Sequence, residues 1–376
     1  FNLAMTSSSL VSICLPLYNG AKHLVSAIES VRAQTFESFE LLIADDGSTD
    51  GSDQIAMDYA RNDQRIRYWK NEQRQGLFGN YNACIKNARG KYIKPFAQDD
   101  VLSVECIQKM FTVLEENDSV ALVSSARKII DTNGEQIELK QPFSSDMCLP
   151  GKDVIRFNLI ALNNWVGEPS TVMFRAQDAG TGFDTMYYHY GDIEYWFRIL
   201  TKGDLQYFES PLASFRRHGE NQTDKNHREL LIALDVLRLS LSYRDILAEF
   251  EPEELFKRRL IEKLALEHGH VVASTGASEL LKEYSAAFLS ADGEAQNTAS
   301  TAELKVQAEG FRLLTSMALA TVSELISELD HEKRCRKDEH DRFVVEVDKM
   351  RNSLYWKLSS PVRRMLTAIK PEPKDS

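Results

Sequence analysis

Short apolar runs alternate with amphipathic stretches through the first third of the chain. Residues 11–15 form an apolar run, and after them Leu24, Ile28 and Val31 recur at helical spacing, which predicts a helix over 21–34. A second apolar run follows at 39–44. The same punctuation predicts a helix over 53–61, a strand over 66–70, a helix over 79–88 and a strand over 92–97. A helix over 104–116 and a strand over 120–125 complete the series. Strands separated by helices favour a parallel sheet with helices on both faces.

Beyond residue 125 the alternation loosens, with turn signals at Asn133-Gly134, Pro150-Gly151 and Asn163-Asn164. A β-type run at 170–175 precedes Gly191-Asp192-Ile193-Glu194-Tyr195-Trp196-Phe197-Arg198, which opens a helix with Trp196, Ile199 and Leu200 toward the core. A strand is predicted at 205–208. From about 224 the pattern is helical, broken near 290–300 by small and polar residues. Residues 331–341 are nearly all charged, and Phe343, Val347, Met350 and Leu354 form a heptad seam, the mark of a short coiled coil or an exposed helix. Residues 349–370 carry six basic residues and no acidic one, interleaved with apolar positions. This tail reads either as a solvated helix or as an amphipathic segment for an anionic membrane surface.

The expected organisation is residues 1–10 disordered or extraneous, a nucleotide-binding α/β domain over 11–223, a helical domain over 224–330, and the charged and basic tail over 331–376. Met5 can begin a natural chain and Phe1 cannot, so residues 1–4 are expected to be foreign to the fold. A length of 376 residues suits two folded units. Lys plus Arg number 45 against 56 Asp plus Glu, a net charge of −11, which argues against nucleic acid as a partner. The five cysteines, Cys14, Cys84, Cys106, Cys148 and Cys335, show neither a CxxC pair nor zinc-ligand spacing. A reducing compartment is therefore expected, and without a long apolar run or a signal pattern the reading is cytoplasmic.

In open α/β sheets, ligands gather at the carboxyl ends of the strands. Three of those ends are polar: Pro16-Leu17-Tyr18-Asn19-Gly20, Asp45-Asp46-Gly47-Ser48, and Gln98-Asp99-Asp100. Either acidic pair alone could be a turn former. Two pairs facing one crevice suit a Mg²⁺ or Mn²⁺ ion that takes one or two carboxylates and fills its shell with phosphate oxygens and water, with Asp100 as the candidate ligand.

The segment VSICLPLYNGAKHLVSAIESVRAQTFESFELLIADDGSTD, then NARGKYIKPFAQDD and later GDIEYWFR, resembles the family-2 inverting glycosyltransferases of bacterial surface-polysaccharide type, which have the GT-A fold. The resemblance implies a Rossmann-like mixed sheet over about 11–223, with the helical C-terminal region uncovered. It places Pro16, Tyr18, Asn19, Asp45 and Asp46 near the nucleotide base, Asp99 on the ribose, and Asp100 on the metal. The family often has a further Asp where this chain has Ala97. It implies Asp192 as catalytic base, with Glu194 as the substitute.

Other roles stay open. Arg198 either holds the donor diphosphate or forms a structural ion pair, and Trp196 is either core or an acceptor surface. Arg217 matches a basic segment near the donor phosphates. His218 is either a metal or phosphate contact or a structural histidine. Glu168, with Pro169 and Ser170, matches a loop that borders the acceptor.

The implied activity is transfer of a sugar from a UDP- or dTDP-linked donor to a hydroxyl of a bacterial glycan, such as an O-antigen or capsule chain in free or lipid-linked form. The implied location is the cytoplasm or the inner face of the plasma membrane. Two competing readings are a nucleotidyltransferase and a non-catalytic oligomeric scaffold. A nucleotidyltransferase would normally show a glycine-rich phosphate loop with a lysine, which residues 16–20 do not provide.

Overall fold

A computed structural model describes residues 10–161, 163–187 and 189–217, with a few isolated positions between 235 and 246. The expected helical region, the heptad seam, the basic tail and His218 lie outside the described residues.

The elements run β1 (Val11–Leu17), α1 (Ala21–Arg32), β2 (Phe39–Asp45), α2 (Ser52–Asn62), β3 (Ile66–Lys70), α3 (Gly76–Asn87), β4 (Tyr92–Pro95), β5 (Val101–Leu102) and α4 (Cys106–Glu116). They continue with β6 (Val120–Ile130), β7 (Gln136–Lys140), β8 (Met147–Leu149), α5 (Gly151–Ala161), β9 (Met173–Arg175), α6 (Gly191–Leu200) and β10 (Asp204–Arg216). The sheet order is β3-β2-β1-β4-β9-β6-β10-β5, with β7 beside β6 and β8 beside β10. β3, β2, β1 and β4 are parallel. β9 then runs antiparallel to both β4 and β6, so the sheet is mixed.

Every residue of β1 and β2 is buried, as expected of strands covered on both faces. Successive side chains leave a strand on opposite faces. Val11, Ile13, Leu15 and Leu17 therefore share one apolar cluster with Leu24, Ile28 and Val31 of α1 and Met110 and Leu114 of α4. On the opposite face Cys14 meets Cys84 of α3, and both are free thiols.

The looser stretch after residue 125 is where the expected pattern differs from the fold. β6 runs on to Ile130, and β7, β8 and α5 occupy segments where the sequence pattern predicted no element. β7 is exposed almost throughout and β8 has three residues, so neither carries a buried face for alternation to reveal. The run expected over 170–175 is a single turn of 3₁₀ helix, Pro169–Thr171, followed by β9.

Aromatic packing sets the position of α6. Phe183 stacks on Phe78 and Tyr81 of α3 and meets Tyr195 and Trp196 of α6. A Cβ on Gly191 would lie 2.5 Å from the Phe78 ring, so only glycine lets the first turn of α6 approach α3 this closely.

Candidate active site

Three strand-end loops are tied to one another. Asn19, in the left-handed region at φ 47°, donates its N–H to Ser48 Oγ at 3.0 Å and accepts the Thr49 N–H on Oδ1 at 2.9 Å. This joins the loop after β1 to the loop after β2. The Gln98 side chain joins the β1 loop to the turn after β4 through both backbone groups of Tyr18. Tyr18 remains partly exposed, with the Arg74 guanidinium 4.0 Å from its ring centroid.

The two carboxylates of the first acidic pair do different work. Asp45 is fully buried and accepts from the Ser48 amide, the Ser48 hydroxyl and the Tyr68 hydroxyl. It builds the turn, so the expected donor contact of Asp45 is corrected: its oxygens face the loop interior. Asp46 accepts from the Gln75 and Gly76 amides at 2.7 and 2.8 Å and from Asn71 Nδ2 at 3.1 Å. Gly76 opens α3, so the carboxylate caps that helix where its dipole favours negative charge. Pro16 lies inside β1, buried, opposite Ala44.

The second pair sits on a turn held from β10. Arg216, buried, donates its backbone N–H to Asp100 Oδ1 at 2.9 Å, its Nε to the Asp99 carbonyl at 2.8 Å, and Nη1 to the Asp131 carbonyl at 2.8 Å. Sequence reading chose Arg217 instead. That side chain is half exposed, with Glu138 of β7 3.7 Å away. Arg216 is the last residue of β10 and Arg217 follows it, and the residue that faces the acidic turn is the buried one.

Asp100 is 1% exposed, and burial, then the charge of Asp99, push its carboxyl well above the usual range. Its Oδ2 accepts no well-formed hydrogen bond among the described residues, while the Ser170 hydroxyl and the Arg216 amide lie close enough to the carboxyl to oppose that rise. The fully buried Tyr81 of α3 is also raised, by burial and then by Asp100 and Asp99, which places α3 beside this turn.

The fourth component is the loop over 163–171. Asn164 Oδ1 accepts the Gly167 N–H at 2.8 Å, while its Nδ2 lies 3.4 Å from Asp192 Oδ2. The fully buried Trp196 donates its indole N–H to the Gly167 carbonyl at 3.0 Å. Trp196 is therefore core and loop support, and the acceptor-surface reading is corrected. Lys94, fully buried on β4, donates to the Ser170 and Val172 carbonyls, and burial lowers its pKa to about 8. Ser170 Oγ accepts the Ala97 N–H at 3.0 Å, so this loop packs against the acidic turn.

Asp192 lies in the first turn of α6 with Oδ1 on the Ile193 N–H at 2.7 Å. Burial raises its pKa to about 7, the charge of Glu168 adds to this, and Arg127 opposes it. Glu168 also raises Asp100. Asp99, Asp100, Glu168 and Asp192 thus share one electrostatic neighbourhood although they are far apart in sequence.

Glu194 and Arg198 do not join it through their charged ends. Arg198 Nε meets Glu194 Oε1 at 2.7 Å, Nη2 meets Oε2 at 2.9 Å, and Nη2 also donates to the Gly182 carbonyl. Of the alternatives left open, the structural ion pair is the one formed, and the expected diphosphate and acceptor contacts of this pair are corrected. Arg127 and Asn164 were missed as site residues, because a single polar residue in a loop or strand carries no periodic signal, and Arg216 was seen only as part of the basic segment with Arg217 and His218.

Among the described residues no group of three or more His, Cys, Asp or Glu is arranged to hold a metal ion, and no helix is long and apolar enough to cross a membrane. The unpartnered Asp100 Oδ2 does fit a cation that needs one protein carboxylate and completes its shell from substrate and water.

A model of glycosyl transferase family 2 matches residues 12–179. An uncharacterized protein of Mycobacterium tuberculosis is 30% identical over 56% of this chain and 67% of its own length. An uncharacterized glycosyltransferase of Rickettsia felis is 28% identical over 66% of this chain and 40% of its own length. The glycosyltransferase GlyG of Streptococcus pneumoniae is 30% identical over 34% of this chain and 42% of its own. The chain thus spans less than half the length of these last two relatives. Among solved structures, S. aureus TarS 1-349 in complex with UDP-GlcNAc superposes with a TM-score of 0.50 at 18% identity, covering 69% of this chain and 81% of that one. The chain belongs to glycosyl transferase family 2, and its mixed sheet is a GT-A fold.

Proposed function

We propose that the chain transfers a sugar from a nucleoside-diphosphate donor to a hydroxyl of a glycan, with inversion, using Asp192 as general base. The observation that carries this reading is that one loop reaches both acidic positions, Asn164 lying 3.4 Å from Asp192 and Ser170 holding the Ala97 amide of the acidic turn, and burial there raises Asp192 to about 7. A carboxylate with such a pKa takes a proton from an attacking hydroxyl more readily than an ordinary exposed carboxylate does. Attack from the Asp192 side on the anomeric carbon, with the diphosphate leaving from the opposite side, inverts that carbon.

Tyr18 and Asp46 form the proposed nucleotide contacts and Asp99 the ribose contact, while Asn19 and Pro16 shape that pocket. Asp100 would hold Mg²⁺ or Mn²⁺. When bound, the cation supplies Lewis-acid stabilisation of the leaving diphosphate. A UDP- or dTDP-sugar is the proposed donor, since the solved relative named above binds UDP-GlcNAc. A bacterial surface glycan is the proposed acceptor, and Glu168 and Asn164 border its site.

The test is a panel of nucleotide sugars offered with glycan acceptors and Mn²⁺, followed by product analysis. Free nucleoside diphosphate is expected, and pyrophosphate would point to nucleotidyl transfer instead. Asp192→Asn should lose transfer and keep nucleotide binding. Full turnover in that variant removes Asp192 from the base role.

A further inference from the structure

Arg127 leaves β6 with its side chain 5% exposed and donates from Nη2 to Glu168 Oε1 at 3.0 Å, while Nε lies against Oε2 as an ion-pair contact that does not form a second hydrogen bond. A buried guanidinium held to a carboxylate by a charge-assisted hydrogen bond restrains both groups. Glu168 ends the loop that begins near Asn164, and Asn164 is the side chain that reaches Asp192. The loop is pinned at further points. The Trp196 indole holds the Gly167 carbonyl, and Thr171 Oγ1 donates to the Glu168 carbonyl at 2.7 Å. Gly167 sits at φ 118°, and a Cβ there would collide with Thr171.

We propose that Arg127 is a positioning residue for the transfer reaction, acting through Glu168 to fix the 163–168 loop against Asp192 and to offset the Glu168 charge there. The inference rests on the reading of Asp192 as base and adds a residue to it. Asp192 is faced by Glu168 and Asn164 from the loop, by Arg127 from β6, and by the Ile193 amide of its own helix. Without Arg127 the Glu168 charge would act on Asp192 uncompensated, and Asp192 would hold its proton to higher pH. Without the Glu168 charge the reverse follows.

The test follows the Asp192 carboxyl directly. In the full chain labelled with ¹³C-aspartate, the Asp192 signal is identified by its absence in Asp192→Asn and titrated by NMR. Glu168→Gln should lower its midpoint by about one pH unit, and Arg127→Met should raise it by about as much. The double variant should return near the wild-type midpoint. Arg127→Lys should shift it upward less than Arg127→Met, since charge is kept and the paired geometry is lost. An unchanged midpoint in Glu168→Gln and Arg127→Lys, both conservative enough to fold, overturns the proposal, as does a downward shift on removing Arg127. If the midpoint moves as expected but Asp192→Asn still transfers sugar, the base assignment fails and the electrostatic coupling stands. If the midpoint is fixed and Asp192→Asn is inactive, the inference fails alone.

Discussion

Gln98 closes both ends of its side-chain amide on one residue, Tyr18: Oε1 accepts the Tyr18 N–H at 2.8 Å and Nε2 donates to its carbonyl at 3.0 Å. The pairing imitates a strand ladder just past the end of the sheet, where β4 has stopped and the β1 loop would otherwise be loose. Gly20 belongs to the same device, since a Cβ there would lie 2.6 Å from the Gln98 carboxamide. Gln98→Leu should therefore weaken binding of the preferred nucleoside diphosphate by about tenfold, which corresponds to about 1.4 kcal/mol. Titration calorimetry checks it, and unchanged affinity would remove the bridge from the binding account.

Arg216 and Arg217 should behave in opposite ways. Arg216→Lys loses the Nε bond to Asp99 and the Nη1 bond to Asp131, freeing the acidic turn to move. Mn²⁺-dependent nucleotide affinity should fall about tenfold in that variant and stay within about twofold in Arg217→Ala. Equal losses in both would contradict the placement of the two side chains.

Asp192 should cost stability at neutral pH. Its folded pKa, about 7, lies above the value near 3.8 of a free carboxyl, so between these limits the folded chain binds more protons than the unfolded one. Stability attributable to this group is full below about pH 4 and declines as pH rises through 7. Asp192→Asn should accordingly be more stable than wild type at pH 8 by about 2 kcal/mol, with the difference vanishing near pH 4. Denaturant unfolding at the two pH values decides this.

Most of the first half of the fold was legible because β1, β2 and the helices there have two covered faces or one apolar stripe, while the two-residue β5 was not. β3 matches its expected bounds, and β1 and α1 differ only at their ends. The placement of the motifs was legible: Asp46, Asp99, Asp100 and Asp192 stand just past strands or in the first turn of a helix. Which partners each of these side chains takes was not legible. Asp45 and Asp46 are identical side chains in sequence, yet one folds inward on Ser48 and the other reaches the start of α3. Arg216 closes β10 and Arg217 is the residue just past it, and nothing in two adjacent arginines says which one turns toward the acidic turn. Arg198 with Glu194 is an i, i+4 pair that helical spacing could have identified.

Lys94 offers a check on the loop near Glu168. Lys94→Met removes a buried cation and leaves the Ser170 and Val172 carbonyls without their donor, which should destabilise the chain by about 1–3 kcal/mol. Thermal unfolding measures the loss. An unchanged melting temperature would mean that the loop is held without this lysine.

The most direct test of Asp192 as base is the pH dependence of transfer by the full chain at saturating donor, read as nucleoside diphosphate released with acceptor present. The expected profile rises about tenfold per pH unit on its acid side and levels near pH 7, and the limb disappears with the activity in Asp192→Asn. A flat profile across that range, or an acid limb that survives in Asp192→Asn, would contradict it.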